Sequence, residues 1–175
     1  MHTDDHNDPI TDIGRLLELS RYDLQSPEVR AKLHDLAKRS ATRFDMPIGL
    51  VSIVLDSAQY MAGMYGLSGW MAEAEGMPVE WSFCANAVRT GQPYIVEDAS
   101  VDALQHDNPV VVVDGVRSYA GAPLITADGN VLGAFCVVGV QPRHFSTKEI
   151  SELIEMASDV VDELGRHRLH GEVAA

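Results

Sequence analysis

The stretch SYAGAPLITADGNVLGAFCVVG, residues 118–139, constrains the fold more than any other part of the chain. It places Asp128-Gly129 between two apolar runs, and this dipeptide is typical of two-residue hairpin turns because both turn positions need a positive φ. The stretch therefore predicts two antiparallel strands. Three residue pairs then face each other across them: Ile125 with Leu132, Gly121 with Cys136, and Tyr119 with Val138.

Both faces of this predicted hairpin are apolar. One face carries Tyr119, Gly121, Pro123, Ile125, Leu132, Ala134, Cys136 and Val138. The other carries Ala120, Ala122, Leu124, Val131, Gly133, Phe135 and Val137. Strands of this kind are stable only when both faces are covered, so we expect helices or loops on each side of the sheet. The glycines and alanines leave room for another group to approach the sheet closely.

Other segments add strands to this sheet. IGLVSIVLD, residues 48–56, is also apolar on both alternating faces and predicts a central strand. QYMAGMYG (residues 59–66) and PYIVED (residues 93–98) predict two further strands. LSGWMAEAEGMP, residues 67–78, has no clear period and predicts a long loop, which in compact domains is often a lid or binding loop.

Several segments have the features of helices, among them ITDIGRLLELSRYDL (residues 10–24), whose apolar residues lie near helical spacing. Ser26 and Pro27 suit the start of a helix that runs to Phe44. Ser146 and Glu149 form a capping box at the start of the last helix. That helix carries an apolar stripe of Ile150, Leu153, Ile154, Ala157, Val160, Val161 and Leu164. A helix of about two turns is expected over residues 83–90, with Ser82 as its N-cap and Gly91 as its stop.

These elements fit one domain over residues 10–168, between an acidic disordered tail (residues 1–9) and a short C-terminal tail (residues 169–175). His2 and His6 lie in the first tail and are not expected to bind a metal. The N-terminus is not a secretory signal, and no apolar run is long enough to span a membrane, so we expect a cytoplasmic protein.

The charge of the chain argues against two classes of partner, nucleic acids and anionic membranes. The sequence has 26 Asp and Glu against 13 Lys and Arg, a formal net charge of −13. Such a field repels nucleic acids and anionic lipids, and no basic stripe offsets it. We therefore expect no nucleic-acid or membrane partner.

Several motifs together resemble the GAF domain family, in its bacterial sensory branch found ahead of histidine kinases and diguanylate cyclases. They are SFCANAV, GQPYIVEDAS, NPVV, YAGAPLITADGNVLGAFCVV and FSTKEISELIEMAS. The resemblance covers about residues 13–168. It implies an α+β fold, an α/β/α sandwich with a central antiparallel sheet. The N- and C-terminal helices lie on one face, and a pocket roofed by loops and short helices lies on the other.

The resemblance also implies a function. Members of the family bind small molecules and pass a signal to a partner through the terminal helices, often as homodimers. The chain ends soon after its last helix, so we expect a signalling partner in trans, or a degenerate scaffold. The residues expected to line the ligand pocket are Phe83, Cys84, Ala87, Asp98, Asn108, Tyr119, Gly121 and Phe135. Tyr119 and Phe135 are predicted on opposite faces, so both cannot point into one pocket. Relatives often have Asp where this chain has Gly139.

The two cysteines leave two interpretations open. Cys84 is predicted in the first turn of a helix, where unpaired N–H groups lower a thiol's pKa, but buried packing is the commoner role of cysteine. Cys136 is predicted in the middle of a strand, where packing is favoured more strongly. The sequence does not tell whether the two sulfurs meet.

Cofactors of the family are not expected here. Covalent bilin proteins of the family usually have His directly after the attachment cysteine, whereas Ala85 follows Cys84 and Val137 follows Cys136. Haem needs an axial ligand, but His106 and His144 lie in polar stretches typical of the surface. No metal-ligand spacing is present.

Three alternatives to a general sensor remain. The NKFDE sequence of the cyclic-nucleotide-binding members is absent, although the start of the 83–90 helix could contact a phosphate. A free methionine sulfoxide reductase of the GAF type would use Cys84 as its catalytic thiol, but the cysteine-bearing loops of that branch are missing. The third alternative is a ligand-free dimerisation or adaptor domain. The leading expectation is a non-enzymatic sensor.

Overall fold

The computed structural model of the chain describes residues 7 to 169, and its centre is an antiparallel sheet. The six strands are β1 (Ile48–Val54), β2 (Ala58–Tyr65), β3 (Gly76–Pro78), β4 (Tyr94–Val96), β5 (Ser118–Ile125) and β6 (Val131–Gly139). Their spatial order is β3-β2-β1-β6-β5-β4, and every neighbouring pair is antiparallel. β1 and β6 are the two middle strands, which confirms the central position predicted for β1.

Helices cover both faces of the sheet. They are α1 (Ile13–Leu19), α2 (Pro27–Arg43), α3 (Trp70–Ala74), α4 (Cys84–Thr90), α5 (Pro109–Val112) and α6 (Thr147–Arg166). We call the face packed against α1, α2 and α6 the helical face. We call the face packed against α3, α4, α5 and the 3-10 turn at Val79–Trp81 the cavity face. This arrangement confirms the predicted α+β fold with terminal helices on one side and short elements on the other.

The helical face is filled because a helix lies directly on the sheet. A β-carbon added at Gly49 of β1 or Gly63 of β2 would overlap the main-chain carbonyls of Ala37 and Leu33 on α2. Only glycine allows this close approach, in which helix backbone and sheet backbone almost touch. The large side chains of α6 and the sheet then close the rest of this core.

The β5–β6 hairpin differs from its predicted register at one end. Tyr119 faces Val138 and Gly121 faces Cys136 as predicted, but Ile125 faces Val131 instead of Leu132. A bulge causes the difference, because Leu132 and Gly133 together occupy the place opposite one β5 residue. The bulge turns Leu132 into the core of the helical face and Val131 toward the cavity face, so the predicted faces of these two residues were wrong.

The turn of this hairpin is also longer than predicted. Thr126 N donates a hydrogen bond to Asn130 O over 2.9 Å, so three residues rather than two lie between them. Gly129 has a φ of 85°, which is the conformation that made the Asp-Gly pair a turn signal.

The predicted long loop contains regular structure. α3 and β3 both form within residues 67–78, and β3 pairs with the outer edge of β2. The Arg30 guanidinium holds this segment against α2 through two hydrogen bonds to the Glu75 carboxylate, of 2.6 and 3.1 Å. Because these contacts are tertiary, local periodicity could not reveal the two short elements.

The predicted N-terminal tail is too long. Asp8 caps a 3-10 turn at Pro9–Thr11, and its carboxylate pairs with Arg89 on α4 at 3.2 Å. Arg15 then ties this turn to the sheet, since its buried guanidinium donates to the carbonyls of Ile10 and Val54. His2 and His6 lie outside the described residues.

The capping box of α6 is confirmed. The Ser146 hydroxyl accepts from Glu149 N at 3.1 Å, and the Glu149 carboxylate accepts from Ser146 N at 3.0 Å. Glu149 also accepts two hydrogen bonds from the Arg143 guanidinium, at 2.6 and 3.3 Å. Hydrogen bonding from Arg143 is the main reason that the pKa of Glu149 is lowered to about 2.

The lowered pKa predicts a pH-dependent contribution of Glu149 to stability. A carboxyl group whose pKa is depressed in the folded state stabilises that state above its unfolded pKa, here 4.5, and this contribution is lost as the pH falls toward 2. The side chain is a quarter exposed, so we expect Glu149→Gln to cost about 1–2 kcal/mol at pH 7.

Urea unfolding of both proteins at several pH values tests this expectation. The difference between them should shrink as the pH is lowered from 4.5 to 2. A difference that stays constant over this range would contradict the assignment of the ion pair. Glu152→Gln is the matched control, because it removes another α6 carboxylate, one that pairs with Arg43 on the surface.

Candidate functional site

A cavity of about 400 Å³ lies between the cavity face of the sheet and the short elements that cover it. Its lining comes from β1, β2, β5, β6 and the segments between them: Pro47, Ile48, Leu50, Gln59, Met61, Gly66, Leu67, Ser68, Met71, Met77, Trp81, Phe83, Cys84, Val110, Asp114, Val116, Tyr119, Val138 and Val140. A volume of this size lies within the range of small-molecule sites.

The wall of the cavity is mainly apolar. Leu50, Met61 and Val138 form part of its floor on the sheet, and Met71 and Val110 form part of its roof. Asp114 is the one charged side chain among the lining residues that the structure describes. A molecule in this cavity would therefore be held mostly by buried apolar contact and oriented by a few polar groups.

Two tryptophans and Asp114 form the rim. Trp70 Nε1 donates a hydrogen bond to Asp114 Oδ1 over 2.9 Å, which joins α3 to the loop after α5. The rings of Trp70 and Trp81 meet edge to face with their centroids 5.9 Å apart. The rim is thus held together by side-chain contacts between short elements.

A buried chain of polar side chains ties α4 to the sheet. The Ser82 hydroxyl donates to Gln59 Oε1, and Gln59 Nε2 donates to Ser52 Oγ over 2.9 Å. Ser82 Oγ also accepts from Ala85 N at 3.1 Å. The predicted short helix is confirmed: this hydrogen bond from Ala85 N is the cap predicted for Ser82, Phe83 just before α4 already has helical dihedrals, and Gly91 ends the helix with a φ of 65° as expected.

The two cysteines meet beneath the cavity. Cys84 Sγ on α4 and Cys136 Sγ on β6 are 3.8 Å apart, and both side chains are buried. The Tyr119 hydroxyl donates to Cys84 Sγ over 3.0 Å. Tyr119 occupies this position because residue 121 is glycine, since a β-carbon there would overlap the tyrosine ring and hydroxyl.

The surroundings make the two thiols unequal. Burial raises the pKa of Cys84, but hydrogen bonds from Cys136, Tyr119 and Ser52 outweigh it and lower the pKa overall. Burial raises the pKa of the Cys136 thiol well above its ordinary value, and the neighbouring Cys84 raises it further. Cys84 is therefore the more acidic member of the pair.

Three of the eight residues predicted to line the pocket do so: Phe83, Cys84 and Tyr119. Gly121 lies next to them and makes room for Tyr119. Ala87 is fully buried in α4 and packs in the same core without lining the cavity.

The other three lie elsewhere. Asn108 caps α5, and its amide donates to Trp81 O at 3.2 Å, so it supports the rim from behind. Asp98 accepts hydrogen bonds from Ser100 in a surface turn. Phe135 is buried in the core of the helical face, because strand alternation points it away from the cavity.

Gly139 and two histidines are also remote from the cavity. A β-carbon at Gly139 would meet Ser118 and Met46, and Met46 belongs to the helical-face core, so a carboxylate at this position would not reach the cavity. His106 and His144 are both exposed, as predicted, and bond to Asp102 O and Glu97 respectively. Among the described residues, no cluster of three or more His, Cys, Asp or Glu side chains could hold a metal ion.

Several lining residues were missed by the sequence reasoning. Gln59 carried a usable signal, because it is a polar residue in an otherwise apolar strand. Met71, Trp81 and Asp114 carried none, since they lie in segments without a period. Only the tertiary fold brings these segments together.

Comparison with known proteins agrees with this geometry. The family model described as GAF domain matches residues 31–163. A cyclic di-GMP phosphodiesterase of Pseudomonas aeruginosa is 36% identical over 110 residues, which are 62% of this chain. The chain spans only 18% of the length of that relative.

Two solved structures show the same fold at low identity. The GAF domain of a phosphoenolpyruvate-protein phosphotransferase from Coxiella burnetii has a TM-score of 0.67 at 15% identity, covering 87% of this chain and 89% of that one. The type II free methionine-R-sulfoxide reductase of Thermoplasma acidophilum has a TM-score of 0.66 at 11% identity, covering 84% of this chain and 99% of that one.

The α+β fold with its roofed cavity defines the class of this domain, and the family match identifies it. The chain belongs to the GAF domain family. None of the helices between residues 7 and 169 combines the length and the apolar character needed to cross a bilayer.

The buried polar chain predicts the effect of one substitution. Gln59→Leu would leave the Ser82 and Ser52 hydroxyls without their shared partner. We expect it to lower the free energy of unfolding by about 1–3 kcal/mol. Gln92→Leu, at an exposed glutamine on the loop before β4, is the control and should change stability by less than about 0.5 kcal/mol. Urea unfolding at pH 7 measures the free energy of unfolding of both variants. Equal losses of stability would mean that the buried hydrogen bonds of Gln59 contribute nothing.

Proposed function

We propose that this domain binds a small molecule in the cavity and regulates a partner in signal transduction. The observation that carries the proposal is the cavity itself: about 400 Å³, apolar, and roofed by three helices of seven residues or fewer. A packed domain leaves few voids this large without a use for them.

The lining limits the charge of the ligand. No Lys, Arg or His is among the described lining residues, and Asp114 places a negative charge at the rim. A phosphate or carboxylate buried there would lack a compensating partner, which is costly. The ligand is therefore an uncharged or cationic molecule with a large apolar part. The same argument disfavours a cyclic nucleotide.

The structure offers a route from the cavity to the terminal helices. α4, which carries Cys84 and Phe83 at its start, contacts the Pro9–Thr11 turn through the Asp8–Arg89 pair. Arg15 joins that turn to α1. A shift of α4 on ligand binding would thus reach the N-terminal segment directly.

The two ends of the domain are tied to each other. The buried Glu18 carboxylate on α1 accepts from Tyr22 at 3.0 Å and from Arg168 at 3.2 Å, just beyond α6. Leu169 N also donates to Arg21 O. A signal that moves α1 therefore moves the end of α6, where we expect a partner protein or a second copy of the chain to dock. We retain the cytoplasm as the proposed location.

The curated relative supports a signalling role. It is a cyclic di-GMP phosphodiesterase, and the matched region is a small part of it. The phosphodiesterase activity of that relative is therefore not assigned to this chain. What the match supports is that domains of this kind occur in proteins of second-messenger signalling.

Native mass spectrometry followed by thermal unfolding tests the proposal. Freshly purified protein should carry a compound without net negative charge. Adding that compound back at about 100 times its Kd should stabilise the protein by about 2.7 kcal/mol.

Two variants make this test specific. Ile48→Trp places a bulky ring at the cavity wall and should abolish the stabilisation. Ile154→Trp, on the exposed side of α6, should preserve it. Stabilisation that survives Ile48→Trp, or a compound that binds only as an anion, would contradict the proposed site.

A thiol reductase is a second candidate, favoured by the contact between Cys84 and Cys136. In such a reaction two thiols reduce free methionine sulfoxide to methionine, forming a disulfide and releasing water. The zwitterionic substrate would have to place its carboxylate in a cavity without a basic side chain, which argues against it.

The reductase candidate has a direct assay. Protein, methionine-R-sulfoxide and dithiothreitol are incubated, and free methionine is measured. On the sensor proposal we expect no methionine above the level of Cys84→Ser. Turnover that disappears in Cys84→Ser would establish the enzyme instead.

A further inference from the structure

The contact between Cys84 and Cys136 is unusual for a chain that has only two cysteines. They are 52 residues apart in sequence and lie on different elements, yet their sulfurs are separated by only 3.8 Å. Both are free thiols, and their side chains are almost fully buried. Packing alone does not require two sulfurs to meet, nor the Tyr119 hydroxyl to point at one of them.

We propose that Cys84 and Cys136 form a redox-active pair, which a small hydroperoxide oxidises to an intramolecular disulfide. Closing the bond requires the two sulfurs to approach from 3.8 Å to about 2.05 Å. Cys136 is fixed in a central strand of the sheet. Cys84 begins a seven-residue helix, and this short element can supply the movement.

The cavity determines which of the two cysteines an oxidant reaches first. Cys84 lines the cavity, whereas Cys136 does not. A hydroperoxide small enough to enter the cavity therefore meets Cys84 first. The hydrogen bond from Tyr119 stabilises the thiolate of Cys84, and its lowered pKa favours attack by this sulfur. The raised pKa of Cys136 keeps this sulfur protonated, so it takes part only in the second step.

The reaction has two steps. The Cys84 thiolate attacks the terminal oxygen of the hydroperoxide, so that an S–O bond forms and the O–O bond breaks. The leaving oxygen takes a proton and departs as an alcohol, or as water when the oxidant is hydrogen peroxide. The Cys136 sulfur then attacks the Cys84 sulfenic acid, so that the S–S bond forms, the S–O bond breaks and water leaves. Two thiols and one hydroperoxide thus give one disulfide, one water, and either one alcohol or, with hydrogen peroxide, a second water. A dithiol reductant reverses the change by exchange.

Oxidation would also alter the cavity. Movement of Cys84 toward β6 breaks its hydrogen bond with Tyr119 and draws the neighbouring Phe83 with it, and all three side chains line the cavity. The oxidation state of the pair and the occupancy of the cavity would then influence each other through α4. This inference does not depend on the proposed ligand, because it rests on the contact between the two thiols.

The test uses the purified, ligand-free full chain and hydrogen peroxide. We expect the intact mass under non-reducing conditions to fall by two hydrogen atoms. Peptide mapping should show Cys84 joined to Cys136 within one chain, and dithiothreitol should reverse the change. Peptide mapping also separates the disulfide from oxidation of the seven methionines.

Single variants assign the roles. Cys136→Ser should accumulate a sulfenic acid on Cys84 that dimedone traps, whereas Cys84→Ser should give no sulfenic acid on Cys136. Tyr119→Phe keeps the ring but removes the hydroxyl donor, so it should slow disulfide formation several-fold and move the pH dependence of its rate upward. A merely structural role for Tyr119 would not move the pH profile.

Three outcomes would overturn the inference: both thiols persist under peroxide, the disulfide forms only between chains, or methionine sulfoxide oxidises the pair while peroxide does not. The last would assign the pair to a reductase. Because no cavity ligand is used, failure here leaves the small-molecule proposal standing, and failure of that proposal leaves the disulfide measurable.

Discussion

The requirement that a sheet be covered on both faces governs the rest of this structure. β1, β5 and β6 present apolar side chains in both directions, so the chain has to supply two cores rather than one. Long helices cover the helical face, and one of them, α2, lies in backbone contact with the sheet at Gly49 and Gly63. The other face is covered by helices of four to seven residues, which cannot fill the space beneath them. The cavity is the result of this asymmetry.

The chemistry of the domain is concentrated where this thinner cover meets the sheet. The start of α4 bears Phe83 and Cys84, is anchored to Gln59 through Ser82, and touches Cys136 below. The same helix is tied to the N-terminal segment by Arg89. One short element therefore connects the cavity, the thiol pair and the path to the terminal helices.

Local patterns predicted the elements whose stability is local. The capping box at Ser146, the Gly91 stop and most of the hairpin register follow from short-range hydrogen bonding and strand alternation, and all three are present. The errors occur where distant groups decide. The bulge at Leu132 and Gly133 forms against the carbonyl of Ser52 on a neighbouring strand, and β3 exists because it pairs with β2. A window of a few residues does not contain both partners of such contacts.

The sequence by itself determined the two-sided sheet, because apolar alternation and turn residues act over a few positions. Its motifs also carried the resemblance to the GAF family, and that resemblance implied the roofed face. It also placed Phe83, Cys84 and Tyr119 in the right region. Only the tertiary structure decided that Asp114 and Gln59 join the cavity, that Phe135 points away from it, and that Cys84 and Cys136 meet. These facts depend on the orientation of side chains from segments far apart in the chain, which is set when the two cores pack.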